Sequence, residues 1–287
     1  MKVSCFTFLR NAEMLGYPFI ESIRSALPLC DEFVVNVGVS EDRTLEMVRA
    51  IGDPKIRIIE SCWNEKMQVK GYVYGQQKSI AHFNCTGDWA FYLEADEVLH
   101  EKELPAIRQA MERHLDDPRV EALVFDYLHF YGNHESYAWS PGWYRLAPRI
   151  IKNTVRSFSP DGLYFVVLDS NKQGRYPRAA KVGATVYHYG WVRSEAQMNA
   201  KMNRVEKYWG NVGKNVDYSQ IDPQVLRHFT GSHPDIMKGW LPKGELGLFQ
   251  ADPSHVLTKR ERRHRLMMVL ERLFGLEMSK KHYKLVC

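Results

Sequence analysis

Apolar and polar positions along the first hundred residues switch between a period of two and a helical period, in regular succession. Val3 to Phe8 is a β-rich run, and Asn11 through Leu27 carries Met14, Leu15, Phe19, Ile23, Ala26 and Leu27 near helical spacing before Pro28. Glu32 to Val37 repeats the strand pattern. Ser40 to Thr44 reads as the entry of a helix bearing Leu45, Met47, Val48 and Ile51, stopped by Gly52-Asp53-Pro54. Lys55 to Glu60 and Asp88 to Glu94 are the third and fourth strands, with a helix over Tyr74 to Phe83 between them. This alternation predicts an α/β fold with a mostly parallel, doubly wound sheet flanked by helices.

Beyond residue 100 the pattern loosens. Glu101 to Leu115 reads as a helix and Val120 to Tyr131 as a long strand that grows aromatic toward its end. Residues 132 to 182 are irregular, with short strands such as Arg149 to Lys152, followed by a strand over Ala184 to Tyr189 and a helix over Ser194 to Trp209 capped by Ser194. Residues 210 to 258 are loop-rich, and Lys259 to Phe274 reads as an amphipathic helix with Leu266, Val269, Leu270 and Leu273 on one side. We therefore expect one domain over residues 1–209, in two halves of 1–100 and 101–209, and a loop-rich extension with a basic C-terminal helix over 210–287.

Charge sharpens that division. The formal net charge is +5, and residues 259–287 hold nine Lys/Arg against three Glu, so the remainder is close to neutral. Basic residues without interleaved stacking aromatics argue against nucleic-acid binding. Five scattered cysteines with no CxxC pair indicate neither a zinc site nor a disulfide framework. Met1-Lys2 leads straight into a strand and no signal peptide is read there, so a reducing cytoplasm is the expected compartment.

The chemistry-bearing feature is the fourth strand, where Trp89-Ala90-Phe91-Tyr92-Leu93 ends in Glu94, Asp96 and Glu97. Interior strands carry ionised carboxylates at high cost, so the acids belong at the strand's carboxyl end, the rim where ligands bind open α/β sheets. Glu94 and Asp96, two apart, should project to one side and suit a hard divalent cation shared with phosphate oxygens.

Four strings then resemble the family 2 glycosyltransferases of GT-A fold: Phe8-Leu9-Arg10-Asn11-Ala12-Glu13, Val34 through Thr44, Gly87-Asp88-Trp89 through Glu97, and Arg149-Ile150-Ile151-Lys152-Asn153. The resemblance covers about residues 1–209, with 1–100 as the nucleotide-binding half and 101–209 as the acceptor half. Two positions depart from the family pattern: Val37 stands where an aspartate usually reads the nucleobase, and Glu94 replaces the first aspartate of the D-x-D.

The resemblance implies an inverting, metal-assisted transferase for polysaccharide biosynthesis. It would move a sugar from a nucleoside-diphosphate sugar, UDP-type first, to a hydroxyl on a glycan, lipid-linked or lipopolysaccharide-type acceptor. Mg²⁺ or Mn²⁺ would bridge the diphosphate. Asp96 is the expected metal ligand, joined by His188, which otherwise reads as a histidine among packed aromatics. Thr7, Arg10, Asn36, Asp42, Lys78 and Glu94 are the nucleotide-binding candidates; Asp42 also suits a helix start and Lys78 a solvated face. Gln77 is a further phosphate candidate, and Lys201 faces either diphosphate or solvent. Glu97 reads equally as the start of the next helix. Asp161 is the candidate general base, or a plain Pro-Asp-Gly turn residue, with Asp126 as second candidate. Trp143, Tyr144 and Arg149, with Trp139, form the expected acceptor wall.

The basic C-terminal helix either packs on the domain with a solvated basic face or lies on an anionic membrane, which would place the protein at the inner face. Two other functions remain open on these residues. One is a nucleotidyltransferase that makes a sugar nucleotide, although Phe8 to Gly16 holds one glycine where a phosphate loop would hold several. The other is a non-catalytic nucleotide or carbohydrate binder. The lack of G-x-G-x-x-G after the first strand argues against a dinucleotide oxidoreductase.

Overall fold

The computed structural model describes residues 1–210, 215–242 and 250–286; Cys287 and parts of the loop-rich segment lie outside them. In chain order the N-terminal elements are β1 (Val3–Leu9), α1 (Phe19–Ala26), β2 (Glu32–Gly38), α2 (Thr44–Arg49), β3 (Ile56–Ser61), α3 (Tyr72–Phe83) and β4 (Trp89–Tyr92). There follow β5 (Glu97–Leu99), α4 (Leu104–His114), β6 (Ala122–Tyr131), β7 (Ser136–Ala138), β8 (Leu146–Lys152), β9 (Ser157–Phe158), β10 (Val166–Leu168) and β11 (Gly174–Arg175). The chain closes with β12 (Arg178–Trp191), α5 (Glu195–Val205), β13 (Leu226–His228), α6 (Lys259–Phe274) and β14 (Lys284–Leu285).

The main sheet runs β13-β7-β6-β8-β4-β1-β2-β3, and its N-terminal half, β4-β1-β2-β3, is wholly parallel. β8 inserts antiparallel between β4 and β6, and β12 runs parallel along β6 on the edge opposite β8. The expected α/β class and helix-flanked parallel sheet are borne out. Strand alternation explains the two-sided winding. Val3, Cys5, Phe33, Val35 and Phe91 pack with Phe19, Ile23, Val48, Ile107 and Met111 of α1, α2 and α4. Phe6, Val34, Ala90 and Tyr92 face the other way, toward Ala81 of α3. Trp89 is fully buried, and its indole N–H donates to the Met111 carbonyl at 3.1 Å, so the largest core side chain leaves no orphan donor.

Three elements differ from the sequence expectation. The first helix begins only at Phe19, because Pro18 cannot continue a helix ladder backward and Asn11 takes a left-handed φ of 52°. The Asn11–Gly16 loop is instead clamped to the β2–α2 turn: Thr44 Oγ1 accepts from the Ala12 amide at 2.7 Å, and Asp42 accepts from the Met14 amide at 2.8 Å. Glu97 starts no helix; it is a buried residue of β5. The late strand extends well before Ala184, since Gly183, at φ 77°, absorbs a register shift that breaks the apolar pattern. β14 adds to β12 in the same sheet, tying the end of the tail to the domain. Among the described residues no helix is long and apolar enough to cross a membrane.

Candidate active site

β4 ends at Tyr92, and Leu93 to Asp96 turn the chain into β5, whose Glu97 pairs with His188 of β12. The acids thus lie at the carboxyl end of a central parallel strand, where the sheet opens. The turn is fixed at each residue. Ser22 Oγ donates to the Glu94 carbonyl at 2.9 Å, the Glu94 amide donates to Glu97 Oε2 at 3.1 Å, and the Tyr189 amide donates to the Asp96 carbonyl at 2.8 Å.

Beneath it sits Arg149, 1% exposed, reaching in from β8. Its Nε lies 2.9 Å from Glu97 Oε2, its Nη2 is 3.0 Å from Glu94 Oε1, and its Nη1 donates to the Leu163 carbonyl at 3.2 Å. Tyr127 adds its hydroxyl to Glu97. Burial is affordable for these charges because each has a partner.

Glu94, Asp96 and His188 offer ligand atoms that all lie within 4.8 Å of one another. Gly190 makes this possible, since a Cβ there would stand 2.6 Å from His188 Nε2 and 2.7 Å from Asp96 Oδ2. Lys201 of α5 donates to Asp96 Oδ2 and to the Gly190 carbonyl, both at 3.4 Å. His188 is oriented from behind. His129 Nε2 lies 2.9 Å from the Tyr144 carbonyl, which can only accept, so that nitrogen carries the proton. With its pKa held well below the ordinary value by burial and by His188, His129 is neutral, and its Nδ1 must accept from His188 Nδ1 at 3.2 Å. His188 Nε2, 3.6 Å from Asp96 Oδ1, is left as the nitrogen with a lone pair to offer.

The electrostatics follow. Burial pushes the Glu94 carboxyl up to about 8, Glu97 adds to the rise, and Arg149 opposes it. Burial would also raise Asp96, but the positive charge of Lys201, with that of Arg193, outweighs it and holds the carboxyl far below its usual range. Burial brings Lys201 down to about 8 against the pull of Asp96. Two carboxyls two residues apart are therefore pushed in opposite directions, Glu94 up and Asp96 down. Two carboxylate oxygens and an imidazole nitrogen, facing a cleft that leaves coordination positions for other oxygens, fit Mg²⁺ or Mn²⁺.

The cleft beside these groups has a volume of about 230 Å³ and is lined mostly by apolar and aromatic side chains, among them Phe8, Tyr17, Trp63, Tyr74, Tyr92 and Trp209. Arg10 and Lys201 bring positive charge to it. Arg10 also stands 3.0 Å from the Tyr208 hydroxyl and pairs with Glu65, which in turn takes Lys207 at 3.0 Å. Residues 206–209 are thereby latched over one end of the cleft.

Of the sequence candidates, Arg10, Glu94, Asp96, His188 and Lys201 line the cleft. Several others do not. Thr7 is 2% exposed beneath it, and the amide of Asn36 is fully buried against Gln77, whose carbonyl and Oε1 each accept at 2.9 Å. Asp42 is occupied in the α2 clamp, accepting from the Thr44 amide at 3.0 Å. Lys78 is neither solvated nor in the cleft; its Nζ lies 3.9 Å from the Tyr92 ring centroid and donates to the Gly162 carbonyl at 3.2 Å. Burial, with Arg149 nearby, lowers it to about 7. Asp161 closes its own turn, accepting from the Leu163 amide at 2.8 Å, beside Gly162 and Leu163 that do line the cleft. Asp126 faces outward from β6.

The expected acceptor wall is not assembled as a surface. Arg149 is a buried brace, Tyr144 packs on Tyr127 and His129 at 4.8 and 4.6 Å, and Trp143 packs on His129 and Trp191 at 5.1 and 5.7 Å. The sequence reading also passed over Tyr17, Trp63, Tyr74 and Trp209. Lys201 had a legible signal, since Met198, Lys201, Met202 and Val205 share one helical face that meets the cleft.

No protein-family model and no curated protein matches the sequence. Among solved structures, TarS of S. aureus is similar at a TM-score of 0.41 and 16% identity, over 71% of this chain and 39% of that one. Its residues 1–349 in complex with UDP-GlcNAc give a TM-score of 0.36 and 18% identity over 53% and 46% of the two chains. Glucosyl-3-phosphoglycerate synthase from Mycobacterium tuberculosis, in complex with Mg²⁺ and UDP, gives 0.33 and 20% identity over 44% and 43%. The chain thus spans less than half the length of each of these three structures.

Proposed function

We propose that this chain is a metal-assisted, inverting glycosyltransferase that moves a sugar from a nucleoside-diphosphate sugar, UDP-type first, to a hydroxyl of a glycan or glycolipid. The observation that carries this reading is the convergence of Glu94, Asp96 and His188 at the carboxyl end of β4, on a cleft that also holds two cationic side chains. Mg²⁺ or Mn²⁺ held by these three residues would offset negative charge on the departing nucleoside diphosphate.

The chain's own groups have separable tasks. Lys201 and Arg10 attract the diphosphate electrostatically. Arg149 sets the Glu94 carboxyl from below, and His129 sets the ring of His188. The nucleoside end would enter beside Arg10 and Trp63, where residues 206–209 are latched, so the Arg10–Glu65–Lys207 ion pairs must part to admit it. Asp161 is our candidate for taking the acceptor proton: burial raises its carboxyl, which makes it a stronger base, and its turn borders the cleft.

The test is UDP binding by thermal shift with and without Mn²⁺, followed by turnover of UDP-sugars. A ligand selective for the native state raises Tm. Wild type should gain stability from UDP only with Mn²⁺. Asp96→Asn should keep its fold and lose at least about a hundredfold in transfer, the scale of removing one electrostatic stabiliser. Full activity in that variant defeats the proposal. Pyrophosphate release from a nucleoside triphosphate would assign a nucleotidyltransferase instead, and binding without turnover a binding protein.

A further inference from the structure

Helix α6 is docked with its more apolar side outward. It is a well-formed helix, with Thr258 and Glu261 in a reciprocal capping box and Gly275 in the left-handed conformation at its end. Its inward side carries His264, Met267, Met268 and Glu271, and the attachments there are polar. Glu271 pairs with Arg145, and Arg265 at the flank makes two 2.7 Å bonds to Asp222, which is 2% exposed. No residue of the helix is buried.

The outward stripe, spaced i, i+4, i+7 and i+11, is Arg262, Leu266, Val269 and Leu273. Leu266, Val269 and Leu273 are 60, 54 and 70% exposed, and Phe274 and Leu276 beyond them are 67 and 61% exposed. Arg263 and Arg272 flank the stripe and are exposed as well. A helix on a water-facing surface ordinarily shows the reverse arrangement, and a contiguous apolar stripe rimmed by one sign of charge marks an interaction surface.

We propose that this face of α6 lies on a lipid bilayer containing anionic phospholipid. The stripe enters the boundary between headgroups and acyl chains, and the arginines meet lipid phosphates. The charge pattern selects this occupant over the alternatives. The acids of the segment, Glu261, Glu271 and Glu277, are engaged with His255, Arg145 and Lys281, so the outward face is purely cationic. Two copies meeting through it would oppose arginine with arginine. A nucleic acid would satisfy the arginines and leave three aliphatic side chains and a phenylalanine in water. A bilayer surface satisfies both sets at once. Attachment would bring the cleft to lipid-borne acceptors, a consequence that rests on the transferase reading; the lipid binding itself does not.

The experiment is flotation of the full chain with vesicles of phosphatidylcholine alone or mixed with phosphatidylglycerol. The expected result is binding to the mixed vesicles only, released by high salt. Leu266→Gln/Val269→Gln/Leu273→Gln should bind at least about tenfold more weakly with an unchanged circular dichroism spectrum, and Arg262→Gln/Arg263→Gln/Arg272→Gln should lose the phosphatidylglycerol dependence. Absence of binding to mixed vesicles, undiminished binding by the aliphatic variant, or a dimer in sedimentation that this variant dissolves would each overturn the proposal. UDP–Mn²⁺ binding, measured in solution on the same proteins, reports the cleft separately: kept there and absent on vesicles, it removes the membrane surface and leaves the transferase reading intact.

Discussion

Around the β4–β5 turn, Arg149, Glu97 and Asp96 are 1, 0 and 5% exposed, Arg149 pairing with Glu97 and Asp96 with Lys201, whereas α6 carries a larger share of charge with no buried residue. The two regions put the same side-chain chemistry to opposite uses. In the turn, removal from water makes each charge depend on its partner, so the carboxylates cannot wander and their positions are set before any ligand arrives. On α6 the outward arginines, Arg262, Arg263 and Arg272, are solvated, fix little and remain available to a second surface. Mutational sensitivity should therefore run steeply downward from the turn to the helix.

The largest effect is expected at Arg149→Met. It leaves Glu97 buried without its cation, and breaking such a pair from one side costs about 3–5 kcal/mol. Chemical denaturation should show this loss, and Glu97→Gln in the same chain should recover part of it, since the uncompensated charge goes too. A loss under about 1 kcal/mol would mean that the guanidinium braces nothing.

Next comes His82, 3% exposed and stacked on Phe6 with centroids 5.2 Å apart. Burial, aided by the charge of Lys78, depresses its pKa from about 6.5 to about 4. Between those values the unfolded chain takes up a proton that the native ring refuses. Its contribution is thus intact above pH ~6.5 and is lost as pH falls toward ~4, by up to about 3 kcal/mol. His82→Phe should flatten that part of the stability–pH profile; an unchanged slope would place the effect elsewhere.

These two residues also show where sequence reading stops. The acids were legible because they interrupt an apolar run at strand length, and the α/β order because two periodicities alternate. Arg149 sits in Arg149-Ile150-Ile151-Lys152, which reads the same whether the arginine meets water or a carboxylate; its partner Glu97 is 52 residues away. Asn36 was misplaced for the same reason, since a polar group at a strand end faces ligand or protein according to neighbours supplied by distant segments. The stripe on α6 was legible as a stripe. Which side faces inward was not, because Asp222 and Arg145, to which the inward side is tethered, lie far back along the chain.

A middle-sized effect is expected at His129→Phe, which removes the acceptor for His188 Nδ1 and frees that ring to choose its tautomer and orientation. Groups that orient a metal-bound histidine from behind are worth about 10–100-fold in metal affinity. Mn²⁺ titration followed by electron paramagnetic resonance should show that loss while UDP-free stability changes little. His129→Gln, whose side-chain oxygen can accept the same proton, should restore part of the affinity. Equal losses in both variants would point to packing against Tyr144 rather than to the nitrogen.

The smallest effect belongs to the outward face of α6. Leu266→Gln, Val269→Gln and Leu273→Gln, taken singly, should each stay within about ±0.5 kcal/mol of wild type, because side chains already more than half exposed lose little burial and glutamine is at least as good a helix former as valine. Glu271→Gln, on the inward side of the same helix, should cost about 1–3 kcal/mol by leaving Arg145, 10% exposed, with only the longer 3.5 Å pairing to Glu277. The contrast within one helix separates the two explanations of its orientation. If an outward substitution destabilises the isolated chain as much as the inward one, the leucines are packed in solution and no second surface is needed to account for them. If only Glu271→Gln does, the helix is held by its polar side, and its apolar side is free to meet lipid.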